Sequence, residues 1–286
     1  MTTPTDRRRK LRALLASSSV FPALGCSDPV SARLAEHMGF QAIHASGSAA
    51  HRTRGYSDAG ILDMTEMVSH LRYLCDAVQI PVIGDADTGF GNVVNVVRTV
   101  REYERAGAAA VHIEDQVTPK RPVYQGGSGE FVTRREMVDK IRAAVDARTD
   151  SELVIVARCD VKDAAERRER LLECLDNGAD VGWISGRDAD ALRTLRRAFQ
   201  KPSMGVLPGG MSLTEYASAG GNCALIVGAM QVAALASQMQ LLEALRTTGD
   251  PRTYLETLPT YRDASSFYSG QGNAELKAIE ERFGGA

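Results

Sequence analysis

Short apolar runs alternate with amphipathic stretches along the whole chain, and this alternation limits the fold more than any other feature. Candidate strands fall at 20–23, 42–45, 81–85, 110–114, 153–158, 181–185, 202–206 and 224–227, with helical patterns between them, for example at 92–106, 134–148, 163–177 and 188–199. The punctuation repeats too. Gly39-Phe40-Gln41-Ala42, Gly107-Ala108-Ala109-Ala110, Gly178-Ala179-Asp180-Val181 and Gly220-Gly221-Asn222-Cys223 each read as a helix closing at glycine before a strand begins. Glycine tolerates the left-handed conformation that ends a helix. Four such units argue for repeated modules. Eight strands with intervening helices in 286 residues predict a (β/α)8 TIM barrel, with a doubly wound sheet as the alternative. The expected barrel spans 1–249. The polar, helical-looking tail 250–286 has no strand of its own and is expected to pack on a neighbouring subunit.

Composition narrows the partners. A hydrophobic share of 44% in this length supports one large domain with a full core. A formal net charge of -2 gives no reason to expect nucleic acid or an anionic membrane. The basic start Arg7-Arg8-Arg9-Lys10 reads as a solvated first helix turn. No apolar run is long enough to span a bilayer, and the N-terminus lacks the apolar core of a signal peptide, so a cytoplasmic location is expected. Five scattered cysteines without a CxxC pair argue against a disulfide framework or a zinc site. Most read as small buried hydrophobes, while Cys159 could lie near a site.

Barrel sites lie at the C-terminal ends of the strands. Those ends carry Ser46-Gly47-Ser48, Asp85 with Asp87, Glu114 with Asp115, Arg158 with Asp160, and Ser185, with Asp58 in the loop after the second strand. Asp85 and Asp87 are spaced i, i+2, which turns both to one side of a strand. Such a mouth fits a divalent cation plus a small carboxylate. Magnesium takes a few carboxylates and several waters, and an arginine clamps a carboxylate with two parallel bonds. Each residue also has a structural reading. Asp85 and Asp87 suit turns or helix caps, Glu114 and Asp115 a polar strand end, and Arg158 an ion pair. His44 and His112, inside apolar patterns, suit the core.

Together these residues resemble the isocitrate lyase/phosphoenolpyruvate mutase superfamily. The resemblance rests on Asp85-Ala86-Asp87-Thr88-Gly89-Phe90-Gly91-Asn92, Glu114-Asp115-Gln116, Pro119-Lys120-Arg121 and Ala157-Arg158, with Ala45-Ser46-Gly47-Ser48 and Asp58 at matching places. It implies a barrel whose C-terminal helix is swapped between the subunits of a homotetramer or dimer. It implies Mg²⁺, or Mn²⁺, held by Asp85 and, largely through water, by Asp58, Asp87 and Glu114. Ser46, Gly47 and Arg158 would bind a 2-oxo acid or its precursor, with Ser48 and Ser185 as further candidates. Arg158, Asp58, Lys120 and Tyr124 are the candidate catalytic residues. The shared chemistry is stabilisation of a pyruvate-type enolate by the metal.

The sequence departs from the lyase pattern at three places. Lyase members carry Lys-Arg-Cys-Gly-His in the loop after strand four, whereas this chain has Lys120-Arg121-Pro122-Val123-Tyr124, followed by lid glycines. Proline cannot donate the proton that the thiol supplies. A glutamate common at strand six is replaced in Ser185-Gly186-Arg187-Asp188, and an asparagine usual at strand seven is replaced in Met204-Gly205-Val206-Leu207-Pro208. The decarboxylase branch's histidine near strand eight is absent from Gly228-Ala229-Met230, and the Asp-Lys of phosphonopyruvate enzymes is replaced by Asp115-Gln116. The expected function is a Mg²⁺-dependent carbon–carbon lyase or decarboxylase acting on a small 2-oxo or 2-hydroxy dicarboxylate. A phosphonopyruvate-type P–C bond enzyme, or a divergent biosynthetic or non-catalytic member, is the alternative.

Overall fold

Parallel pairing runs unbroken around eight strands: β1 (Phe21–Cys26), β2 (Ile43–Ala45), β3 (Val82–Asp85), β4 (Ala110–Glu114), β5 (Val154–Arg158), β6 (Val181–Trp183), β7 (Ser203–Val206) and β8 (Cys223–Ile226). The last ladder, from Phe21↔Cys223 to Leu24↔Ile226, joins β8 to β1 and closes a barrel, which excludes the doubly wound alternative. This computed structural model describes residues 2–121, 129–186 and 188–284. The helices are α1 (Pro4–Ala16), α2 (Pro29–His37), α3 (Gly47–Thr53), α4 (Met64–Ala77), α5 (Val93–Arg105), α6 (Arg134–Ala147), α7 (Ala164–Asp176), α8 (Ala189–Arg196) and α9 (Leu213–Ser218), followed by α10 (Ala229–Thr248), α11 (Arg252–Leu255), α12 (Tyr261–Ser269) and α13 (Asn273–Phe283). The glycine punctuation works as the sequence implied. Gly107 and Gly178 take φ of +98° and +108°, and the residue after each bonds back into the helix it closes.

Strand alternation sorts the apolar side chains into two layers. Ala42, Ile83, Ala110, Val154, Val156, Val181, Trp183, Met204 and Leu225 point inward and fill the barrel. Ile43, Val82, Val111, Ile155, Ile184 and Ala224 point outward under the helices. Leu11 and Leu15 of α1 join the inner layer beside Phe21, so α1 plugs the N-terminal end of the barrel. That docking corrects the expectation of a solvated basic turn. Arg7 and Arg8 are buried, Arg7 donating to Val78 O (3.0 Å) and Arg8 to Ala108 O (3.0 Å) and Glu104 O (2.8 Å), with Asp150 as its ion-pair partner. All five cysteines are free, buried thiols.

The chain divides into two compact units, Met1–Met230 and Gln231–Ala286. The division falls before the expected boundary at 249/250. Nearly all of α10 belongs to the second unit, where Ser237 shares a hydrogen bond with Tyr254 (2.9 Å). Among the described residues, no helix is long and apolar enough to cross a membrane.

Candidate active site

The inward register of the strands also carries the polar groups. Ile83 faces the barrel interior, so Asp85 does too. By the same parity His44 on β2, His112 and Glu114 on β4, and Arg158 on β5 point inward above the apolar layers. Asp87 reaches the same place by another route. It lies beyond the end of β3 with φ of +47°, a left-handed conformation uncommon outside glycine, and its N–H donates to Asp85 Oδ1 (3.1 Å). The i, i+2 strand geometry expected from sequence is therefore replaced by a turn that folds the second acid back onto the first. Tyr103 of α5 anchors this end of the strand. Its ring lies on Gly84, where a Cβ would come within 2.9 Å of Cδ1, and its hydroxyl donates to Asp85 O (2.7 Å).

Gly47, the first residue of α3, closes over the acids. Its N–H donates to Asp85 Oδ2 (2.9 Å). A Cβ at this position would lie 2.7 Å from that oxygen and 3.3 Å from Asp87 Oδ1. Ser46 is buried beside it and caps α3 through Ala49 N (3.4 Å). His51 fixes the backbone behind, donating from Nδ1 to Gly47 O (2.8 Å) and accepting from Leu62 N at Nε2 (3.2 Å).

Lys120 joins the loops, pairing with Asp58 (2.8 Å) and with Asp87. Arg158 pairs with Glu114 (3.0 Å) and Asp160 (2.7 Å), and its guanidinium carbon lies 4.8 Å from the Trp183 ring centroid. Gln116 donates to the other oxygen of Glu114 (2.9 Å). Asp115 takes a structural role away from this group, accepting from Asp160 N (2.7 Å) and pairing with Arg170 (3.2 Å). An antiparallel bridge between Gln116 and Phe131 pins the root of the loop after β4. Ser48 is not drawn in, since its Oγ accepts from Arg52 (3.2 Å) on the exposed side of α3. Ser185 accepts from Arg167 (3.4 Å) near the end of β6. Tyr124 lies outside the described residues.

The charges do not balance. Among the described residues, Asp58, Asp85, Asp87, Glu114 and Asp160 pair with only two cations, Lys120 and Arg158. Burial pushes the Glu114 carboxyl up to about 8 despite Arg158, and raises Asp87 despite Lys120. Burial would raise Asp85 as well, but His112, Lys120, His44 and Arg158 hold it well below the ordinary carboxylate range. The surrounding carboxylates carry Lys120 far above its usual value against the pull of burial. Asp87 Oδ2 is buried without a hydrogen-bond partner, while Glu114 Oε2 meets only the Arg158 guanidinium. Acids in excess of their cations, an orphaned Asp87 oxygen and a Gly47 cradle that any side chain would fill are what a hard divalent cation requires.

His44 and His112 add a second donor set. Their Nε2 atoms are 3.0 Å apart, and His112 Nδ1 lies 3.6 Å from Asp85 Oδ1. A carboxylate facing Nδ1 favours a proton there, which makes His112 Nε2 the acceptor and His44 Nε2–H the donor. Burial draws the two imidazoles down to about 4 and about 3, so both are neutral near pH 7. His44, Asp85 and His112 each offer a ligand atom within 4.8 Å of the others. The sequence reading of two core histidines holds for their burial but misses this chain to Asp85. Tyr103 and His51 were also missed, because nothing local marks them, and Gln116 was noted only as part of the Glu114-Asp115-Gln116 motif; only the inward parity of β2 and β4 pointed to the histidines.

A family model described as phosphoenolpyruvate phosphomutase matches residues 11–246. The chain is 34% identical to 2,3-dimethylmalate lyase of Eubacterium barkeri over 286 residues, covering 96% of this chain and 97% of that protein. It is 33% identical to a 2-methylisocitrate lyase of Shewanella oneidensis, covering 89% and 90%. The crystal structure of a phosphonopyruvate hydrolase in complex with oxalate and Mg²⁺ matches with a TM-score of 0.87 at 29% identity, over 99% of each chain. The chain belongs to the phosphoenolpyruvate phosphomutase family, within the isocitrate lyase/phosphoenolpyruvate mutase superfamily, and is an enzyme with lyases among its relatives.

Proposed function

We propose that this enzyme is a Mg²⁺-dependent carbon–carbon lyase or decarboxylase of small 2-oxo or 2-hydroxy dicarboxylates, with Mn²⁺ as a competent substitute. One observation carries the reading: buried carboxylates outnumber their cations around Gly47, and Asp87 Oδ2 has no partner. Asp85, Asp87 and Glu114 would hold the cation, and Asp58 would act from the far side of Lys120. The oxygen-rich set suits Mg²⁺ better than the imidazole set does. A bound divalent cation supplies positive charge to the oxygens of a 2-oxo acid and to the negative charge that develops as the bond breaks.

The chain's own groups do the rest. Ser46 and Gly47 present the floor of the mouth. Arg158 keeps Nε without a partner, a buried donor aimed by its two carboxylate pairs and the Trp183 ring. Lys120 holds positive charge at the root of the loop. Retro-aldol cleavage requires a base for the hydroxyl and an acid for the departing carbanion. The loop reads Lys120-Arg121-Pro122, without a thiol. Decarboxylation places no such demand on the loop, because solvent protonates the product, and this keeps it beside cleavage in the reading.

The same reading makes the protein a cytoplasmic homotetramer or dimer, without nucleic-acid or membrane partners, whose tail packs on a neighbouring copy. Val232, Leu235, Met239 and Leu242 recur at three- and four-residue spacing on α10 and are 66%, 57%, 71% and 63% exposed, an apolar stripe suited to a helix from a second copy.

The test is direct. Purified protein with Mg²⁺ is incubated separately with 2,3-dimethylmalate, 2-methylisocitrate and oxaloacetate, and pyruvate is measured. Pyruvate above the metal-only background is expected from at least one, abolished by EDTA and restored by Mg²⁺. Background rates with all three would sink the reading. Phosphorus NMR with phosphonopyruvate checks the P–C alternative, for which an unchanged spectrum is expected.

A further inference from the structure

We infer that Arg167, acting with Ser185, binds the second carboxylate of the substrate and so sets the preference for dicarboxylates over monocarboxylates. The inference rests on the proposed lyase reading. Its starting point is that Arg167 is partnered unlike the other arginines near the site. Arg158 pairs with Glu114 and Asp160, and Arg170 with Asp115 and Glu166. Arg167 donates only to neutral oxygens: Val161 O (2.9 Å), Lys162 O (3.3 Å) and Ser185 Oγ (3.4 Å). Among the described residues no carboxylate lies within ion-pair reach of it.

Its location gives this cation a use. Arg167 sits in the first turn of α7, which follows β5 at the C-terminal end of the barrel. Val181 and Trp183 point into the barrel, and Ser185 lies two residues beyond Trp183, past the end of β6, where it meets Arg167. Trp183 lies against Arg158. The order from the acids outward is therefore Arg158, Trp183, Ser185 and Arg167. A 2-oxo acid head held at Arg158 would extend past an apolar ring toward a hydroxyl and an uncommitted guanidinium, whose planar fork matches a carboxylate. The contacts to Val161 and Lys162 aim the side chain without neutralising it.

The test compares wild type with Arg167→Gln and Arg167→Lys by calorimetry in Mg²⁺. Oxalate reads the inner site alone, and oxaloacetate differs from pyruvate by one carboxylate. Arg167→Gln is expected to leave oxalate and pyruvate affinity within about twofold and to weaken oxaloacetate by on the order of tenfold to a hundredfold, with Arg167→Lys in between. Unchanged oxaloacetate affinity in Arg167→Gln, with oxalate still binding, overturns the assignment of Arg167 alone. Equal losses for all three ligands also overturn it, because a merely structural arginine behaves so. A wild type that binds no oxalate with Mg²⁺ overturns the lyase reading and this inference with it.

Discussion

Replacing Gly47 with alanine tests where the acid cluster would hold its cation. The backbone of Gly47 needs no left-handed conformation, and the residue opens α3, so the helix backbone itself accepts a methyl. Alanine gains up to about 1 kcal/mol over glycine in a helix interior and less at a first position. The methyl would, however, lie 2.7 Å from Asp85 Oδ2 and 3.1 Å from its Cγ. Contacts that short force the carboxylate away. It then loses the hydrogen bond from Gly47 N, now 2.9 Å, and vacates the position in which it faces Asp87. A hydrogen bond to an ionised group contributes about 1.5–3 kcal/mol, or roughly tenfold to more than a hundredfold in affinity. Mg²⁺ titrated calorimetrically in the presence of oxalate should bind Gly47→Ala weaker by that factor. Thermal unfolding in EDTA should fall below wild type, because the metal-free fold also loses the Gly47–Asp85 hydrogen bond, so affinities are compared at a temperature where both proteins are folded. A folded variant with unchanged Mg²⁺ and oxalate affinity would refute the placement of the cation beneath Gly47.

Three further outcomes are expected. Arg158→Gln leaves Glu114 buried without its cation, so unfolding free energy should drop by about 3 kcal/mol and oxalate binding should fall below detection; retained binding would contradict the clamp. Tyr103→Phe keeps the ring on Gly84 but removes the hydrogen bond to Asp85 O, and denaturant titration should show a loss of about 1 kcal/mol. Burial draws His70 of α4 from 6.5 down to about 4, so between those values the unfolded chain takes up a proton that the folded chain refuses, and stability falls as pH drops. His70→Phe should therefore shrink the stability difference between pH 7 and pH 5 by about 2 kcal/mol, and an unaltered difference would show that His70 does not titrate as described.

The parts of the fold legible in the sequence were those written locally. The β4 strand was readable as 110–114 because a short, mainly apolar run ended abruptly at two acids, and Gly107 and Gly178 announced helix ends because only glycine sits easily at those φ values. Arg7 and Arg8 looked solvated because their partners, such as Val78 O and Glu104 O, lie far along the chain, and no local pattern shows a guanidinium meeting carbonyls across the fold. Asp87 was assigned to the right cluster for an incomplete reason. Spacing put it beside Asp85 on a strand, whereas the positive φ of Asp87 delivers it through a turn. Arg167 was invisible for the opposite reason: in Glu166-Arg167-Arg168-Glu169-Arg170 it is one charge among five on an amphipathic helix. Only the partners in space separate Arg167 from Arg170.

Those partners also divide the mouth into two halves with different tasks. From β2 to β5 the strand ends carry Asp85, Glu114 and Arg158, with Asp58, Asp87 and Lys120 on the loops, and most of these groups are buried and bound to one another. Such a network can hold a cation and one carboxylate, but it leaves little freedom to distinguish substrates. From β6 to β8 the described strand ends are Trp183, Ser185, Val206 and Gly228, and none of these four carries a charge. Substrate choice must come from this sparse half and from whatever cation reaches it. Arg167 is placed to be that cation. The departures from the lyase pattern at Ser185 and at Met204-Gly205-Val206-Leu207-Pro208 fall in the same half, whereas the acids of the first half follow the superfamily pattern. A change of substrate that preserves the cation chemistry requires just this division, since a hydroxyl or an apolar side chain at β6 and β7 alters what the second half of the substrate meets without disturbing the charge balance around Asp85.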